Sequence, residues 1–312
     1  MSEFNFSAKE WAKNYFLRLE KVIENLENSP LVEKVIFTQY KGLSDSEINT
    51  VEEEIALEIS GDDDENESSN FKFNEYIREF YKLSNGLNII WHSNVISSEI
   101  EAKTATNETI ENFIAADYDF DGFEGNLCLL PLNCILSPYK VNVMGDHDYT
   151  GYSEDLKEND GGILAFLDYY NTYYDTCMVL FEDSNNPYFA FGEDHSAAYT
   201  DEVSCDFVTY LEHQLYTLFA IEAKGRGLRL PSSDRTYALH EILEKIEEPS
   251  STEYAEYVSF LNADTLAIED LLKFHYEDDE LGYIDVEKIK SKSAEEQKII
   301  EGFIGIEIEE LE

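Results

Sequence analysis

Between Leu43 and Trp91 the chain carries a succession of start, stop and periodicity signals that leaves few folds open: a capped helix, an acidic loop, a second helix and an apolar strand. The Ser44 hydroxyl can accept from the amide of Glu47 while the Glu47 carboxylate reaches back to the Ser44 N–H, a reciprocal capping box, and Leu43 and Ile48 can close a hydrophobic staple around it. Ile48, Val51 and Ile55 then recur at helical spacing, which leaves Glu52, Glu53 and Glu54 pointing mainly away from the core. The second helix is expected to bury Phe73, Tyr76, Ile77, Phe80 and Leu83. It should stop where Gly86 can take the left-handed backbone conformation without a Cβ clash. Leu87, Ile89, Ile90 and Trp91 follow as a strand.

The order Gly42-Leu43-Ser44-x-x-Glu47-Ile48, then Glu75-x-x-x-x-Phe80-Tyr81-x-x-x-Asn85-Gly86, resembles the opening of the SUKH superfamily. That superfamily includes fungal cell-wall-synthesis regulators and many bacterial toxin-immunity proteins. One departure concerns the join between the two helices, usually a short turn ending in Leu-Pro. Here it is the longer, acidic run from Ser60 to Asn70.

Elsewhere the elements follow from the same signals. Ser7 and Glu10 form another capping box, and Trp11, Tyr15, Leu19, Val22 and Leu26 make the apolar stripe of an amphipathic helix ending near Ser29-Pro30. Val35-Ile36-Phe37 reads as a short strand. A helix is expected from Glu108 to Ala116, and Leu127 to Leu132 reads as a buried strand that looks like the family's central one. Three further strand candidates start at Gly162, Thr176 and Tyr188, separated by Asp-, Asn- and Gly-containing turns.

Glu202 to Ala220 reads as a long helix with Phe207, Leu211, Leu215 and Leu218 on one stripe, and Asp206-Phe207 with Tyr210-Leu211 resembles the helix that closes SUKH domains. The expected fold is therefore α+β, a largely antiparallel sheet flanked by helices, over residues 1–222, with the resemblance covering residues 40–222. Gly225-Arg226-Gly227 offers a hinge. Residues 223–312 are read as an accessory helical region, with helices from Tyr237 to Ile246 and from Tyr254 to His275.

Charge narrows the function. There are 67 acidic and 22 basic side chains, giving 22 − 67 = −45 with histidine neutral. Such a field repels phosphate backbones and anionic membranes and favours a basic protein partner. No run approaches the roughly 18 apolar residues of a membrane span. The N-terminus carries no targeting signal, so a cytoplasmic protein is expected. Cys128, Cys134, Cys177 and Cys205 lack metal or redox spacing and read as buried free thiols.

From Thr104 to Glu222 there are 23 acidic residues against Lys140 and Lys157. The densest part, Asp168 to Asp175, combines carboxylates with Tyr169, Tyr170, Tyr173 and Tyr174. Amphipathic rings beside carboxylates suit a grip on lysine and arginine, so these residues, with Glu182 and Asp183, are the candidate partner-binding set.

Asp117, Asp119 and Asp121 match the first half of a calcium loop, but Cys128 stands where a bidentate Glu belongs, so an acidic turn is the stronger reading. His92, His147, His195, His213, His240 and His275 lack the spacing of a zinc-binding helix, and no nucleophile elbow, phosphate loop or dinucleotide fingerprint is found. No cofactor is implied. The resemblance and the charge together point to a non-catalytic immunity protein that occludes a basic toxin such as a nuclease. A regulatory scaffold of the fungal type and an acidic metal-dependent enzyme are the alternatives.

Overall fold

A computed structural model describes residues 7–60, 71–93, 100–102, 116–118, 124–136, 162–169, 174–181, 188–193, 207–220, 265–269, 271 and 286–304. The first helix, α1 (Ala8–Asn28), begins at the expected capping box: the Ser7 Oγ accepts from Glu10 N (3.4 Å) and Glu10 Oε2 accepts from Ser7 N (3.1 Å). Its buried stripe holds Trp11, Tyr15, Leu19, Val22 and Leu26. Strand β1 (Val32–Lys41) follows and extends well beyond Val35–Phe37. Helix α2 (Asp45–Ser60) is capped as the sequence implies, Ser44 N donating to Glu47 Oε2 (2.7 Å) and Glu47 N to Ser44 Oγ (3.3 Å).

Helix α3 (Glu75–Leu83) is capped by Asn74, whose Oδ1 accepts from Ile77 N at 3.0 Å. Two details differ from the sequence reading. Leu83 is 38 % exposed, while Tyr81, one turn position away, is fully buried and donates its hydroxyl to Leu130 O. The helix also ends before Asn85-Gly86. Ser84 is already extended (φ −151°), and Gly86, with φ 100°, bends the start of strand β2 (Ser84–Ser93) instead of terminating the helix. The Asn85 side chain then accepts from Leu132 N (2.9 Å), tying this bend to the turn after the next sheet strand.

The remaining strands are β3 (Ile100–Ala102), β4 (Ala116–Tyr118), β5 (Glu124–Leu129), β6 (Gly162–Tyr169), β7 (Tyr174–Phe181) and β8 (Tyr188–Glu193). Ala116 thus lies in a strand, and the rest of the helix expected from Glu108 falls outside the described residues. β3 pairs with β4; the main sheet has the order β1-β2-β5-β6-β7-β8, and every pairing is antiparallel.

Register puts Leu87, Ile89 and Trp91 of β2 opposite Leu129, Leu127 and Gly125 of β5, so these residues share one face, with Phe37 and Val35 of β1 opposite Ile89 and Trp91. That face carries the core. Helix α4 (Phe207–Tyr216) belongs to it and is buried all round, as a helix in the interior must be. The rings of Trp11, Phe80 and Phe207 meet with centroids 5.3–6.5 Å apart, joining α1, α3 and α4.

The longer helix expected up to Ala220 stops at Tyr216; Leu218 and Phe219 take left-handed backbone (φ 53° and 62°), and residues 202–206 lie outside the described set. Phe219 N returns to Gln214 O (2.8 Å), which closes the helix end. The chain then crosses tightly over β5: Phe219 O accepts from Asn126 N (2.8 Å), and Trp91 Nε1 donates to Leu218 O (2.7 Å). Gly125 makes this approach possible, because a Cβ there would sit 2.2 Å from Trp91 Nε1 and 2.5 Å from Leu218 O.

In the C-terminal part, Thr265–Ala267 is not helical, Ile268, Glu269 and Leu271 are, and α5 (Val286–Lys290) and α6 (Ala294–Ile304) follow; residues 237–246 lie outside the described set. Leu266 N donates to Tyr216 O (2.9 Å), and Leu271, Ile289 and Ile300 belong to the same apolar cluster as α1 and β2. No described helix is long and apolar enough to cross a membrane.

Candidate functional site

Asp168 heads the candidate set from sequence, and the structure withdraws it from the surface. It is 0 % exposed, with Oδ1 accepting from Cys128 N (2.8 Å) and Oδ2 from the Tyr210 hydroxyl (2.6 Å). Its position explains the arrangement. β5 and β6 share one register pair, Leu129 with Asp168, and Leu130 N donates to Leu167 O (2.8 Å) beside it. The carboxylate extends this brief pairing by taking the Cys128 amide, and Tyr210 brings α4 onto the junction. A buried carboxylate is tolerated because both oxygens are hydrogen-bonded. Asp168 is a clasp between two strands and a helix, not a surface grip.

The rest of the candidate set divides. Tyr169 ends β6, and Tyr174 and Asp175 begin β7, so the segment is the end of a hairpin. Tyr169 pairs with Asp175, Asp175 with Gly192, and Tyr174 with Glu193, which gathers two tyrosine and two acidic positions at one end of the sheet. Tyr170, Tyr173, Glu182 and Asp183 lie outside the described residues. Asp117 is in β4; Asp119 and Asp121 lie outside the described set. Among the described residues no group of three or more His, Cys, Asp or Glu is placed to hold a metal ion.

Glu52 contradicts its expected outward orientation. It is 0 % exposed; Oε1 accepts from Phe73 N (3.0 Å) and Arg78 Nη1 (2.5 Å), and Oε2 from Lys72 Nζ (2.8 Å). Arg78 also reaches Asp45 (3.2 Å) and Asn49 (3.1 Å). One carboxylate therefore fastens α2 to the segment on the far side of the acidic join and fixes the orientation of α3. At the rim of this network hydrogen bonds from Lys82 and Arg78 hold the Asp45 carboxyl below its usual range. Lys82 is raised in turn by its bonds to Asp45 and Glu79.

A third buried acid, Glu212 on α4, accepts from Trp11 Nε1 (2.9 Å) and Arg18 Nη1 (2.7 Å), and Arg18 Nη2 completes a forked pair. Burial raises the neighbouring Tyr15 hydroxyl, and the negative charges of Glu212 and Asp168 add to it.

Both missed acids had a sequence signal. Glu52 stands four residues after Ile48 and three before Ile55, inside the apolar stripe of α2; Glu212 stands between Leu211 and Leu215 with Tyr210 beside it.

On the opposite face of β2, His92 pairs in register with Lys34 and Glu124. Burial lowers its pKa to about 4, and the charges of Lys34 and Lys292 add to the effect. Cys128 is buried and Cys134 half-buried, neither in a disulfide, and burial pushes the Cys134 pKa up. Cys177 is in β7, and Cys205 lies outside the described residues.

The class these features define is an α+β protein with an antiparallel sheet flanked by helices, in which the described buried acids serve as internal fastenings. Comparison with family models, with curated proteins and with solved structures yields no match.

Proposed function

We propose that this chain is a non-catalytic binding protein of the SUKH type whose role is immunity: it occludes a toxin with a basic surface. The observation that supports this reading most is where the acid excess sits. Glu52, Asp168 and Glu212 are neutralised or hydrogen-bonded inside, yet the chain keeps a formal charge of −45. Among the described residues α2 exposes Asp45, Glu47, Glu53, Glu54 and Glu58 and carries no basic residue, whereas α1 exposes Glu10, Glu20, Glu24 and Glu27 beside Lys9, Lys13 and Lys21.

Such a surface raises the encounter rate with a cationic protein and repels nucleic acid. The contact is assigned to the hairpin end, where Tyr169, Tyr174 and Asp175 occupy neighbouring register positions. The occluded toxin loses access to its anionic substrate because the same cationic groups are occupied.

The test is co-expression with the product of the neighbouring gene, capture of the complex and a growth-rescue assay. Capture with rescue is expected, with association slowing as salt rises from low to physiological strength. Absence of both, or association indifferent to salt, overturns the reading.

A further inference from the structure

Helix α4 stops at Tyr216 against its own pattern. The stripe of Phe207, Leu211, Leu215 and Leu218 continues at helical spacing, and neither glycine nor proline stands between Tyr216 and Ala220 to end it. The chain nevertheless turns at Leu218 and Phe219 with φ 53° and 62°, a region that bulky L residues rarely enter and that strains each of them. A helix ordinarily ends in such backbone through glycine.

Distant residues hold the turn in place. Trp91 Nε1 donates to Leu218 O (2.7 Å), and Asn126 N donates to Phe219 O (2.8 Å). The early stop also changes the donor to Tyr216 O. In a continuing helix that donor is the amide four residues on, Ala220 N. Here Ala220 N donates to Thr217 O (3.1 Å), and Leu266 N, from the C-terminal region, donates to Tyr216 O (2.9 Å).

We infer that Thr217–Ala220 is a two-state element coupling the seating of the C-terminal region to the length of α4. In the first state Leu266 N occupies Tyr216 O, and the strained turn is latched to β2 by Trp91 and to β5 by Asn126. In the second, Leu266 is away and Ala220 N takes Tyr216 O. Leu218 and Phe219 then relax to right-handed backbone, and Trp91 Nε1 and Asn126 N lose their acceptors. Relief of strain favours the second state, while the two latches and the Leu266 bond favour the first. A ligand that draws the C-terminal region away therefore shifts the equilibrium and is felt at β2 and β5.

The test uses the full chain carrying Leu266→Pro, which deletes the donor to Tyr216 O, beside Leu266→Ala, which keeps it. Leu266→Pro should speed hydrogen exchange at the Asn126 amide and the Trp91 indole at least about fivefold over Leu266→Ala. Unchanged exchange at both groups, equal acceleration in the two variants, or acceleration spread through Ile36 and Ile89, which is general loosening, overturns the inference.

Coupling is reciprocal, so a second pair of variants tests it from the other end without touching Leu266. Phe219→Gly and Phe219→Ala both remove the ring, but glycine accepts the left-handed backbone and alanine favours helix. In the otherwise unchanged chain the Leu266 amide should exchange at least about fivefold faster in Phe219→Ala than in Phe219→Gly. Equal rates, or the reverse order, overturn the inference.

Discussion

Replacing Asp168 decides whether that residue is a clasp or a grip. In Asp168→Ala the Cys128 amide and the Tyr210 hydroxyl, both deeply buried, lose the acceptors they hold at 2.8 and 2.6 Å. Each stranded buried polar group costs about 1–3 kcal/mol, so a loss of about 2–6 kcal/mol is expected. Asp168→Asn should be far milder. Its carbonyl oxygen can still accept from Cys128 N while its amide donates to the Tyr210 oxygen, and only the charge assistance is lost, about 1 kcal/mol. Tyr210→Phe removes a single donor and leaves Oδ2 buried without it. Urea unfolding of the wild type, the three single variants and the Asp168→Ala/Tyr210→Phe double variant gives these differences at constant slope, and the coupling between Asp168→Ala and Tyr210→Phe should exceed about 0.5 kcal/mol. If Asp168→Ala costs less than about 0.5 kcal/mol, as a surface acid would, the clasp is refuted. Asp168→Asn should also leave partner affinity unchanged, since the side chain does not reach the surface.

Three further outcomes follow from the same geometry. Glu52→Ala strands Arg78 and the Phe73 amide and should cost about 3–5 kcal/mol in chemical unfolding, while Glu53→Ala, on the exposed side of the same helix, should stay within about 0.5 kcal/mol. His92 titrates near 6.5 when unfolded and about 4 when folded, so between those values the unfolded chain holds the extra proton. Its contribution is intact above pH 6.5 and is lost as pH falls towards 4; relative to His92→Gln, the wild type should lose about 2 kcal/mol between pH 7 and pH 5. Parallel pH profiles for the two proteins would contradict that. Gly125→Ala drives a methyl group into the Trp91 indole and the Leu218 carbonyl, and should lower stability by about 2–3 kcal/mol with a shift in tryptophan emission.

Local chemistry was legible from the chain alone. Ser7 with Glu10 and Ser44 with Glu47 start helices where they stand because a capping box is completed by residues three apart and needs no tertiary partner. A third box, Ser293 with Glu296, opens α6 in the same way, Glu296 N donating to Ser293 Oγ (3.3 Å), and was equally readable. The apolar stripe of α1 also follows from periodicity, since spacing sets which side chains share a face, and the strands around Leu87 and Ile163 follow from their apolar runs. The run Leu127–Leu132 reads as strand one turn too far, since the strand is Glu124–Leu129 and Leu132 already opens a 3-10 turn.

The destination of the acids was a matter for tertiary structure. Glu52 and Glu53 are neighbours with the same side chain, yet one is enclosed by Lys72, Arg78 and the Phe73 amide while the other faces solvent. Asp168 read as one carboxylate in an acidic, tyrosine-rich run; its partners, Cys128 and Tyr210, stand about forty residues away on either side. Likewise the edge position of β1 is invisible in its residues, because it depends on which strands pair with which. Charge sign, caps and periodicity are properties of short stretches and the chain determines them directly. Burial of a charge depends on whether distant donors converge on it, and folding alone brings them there.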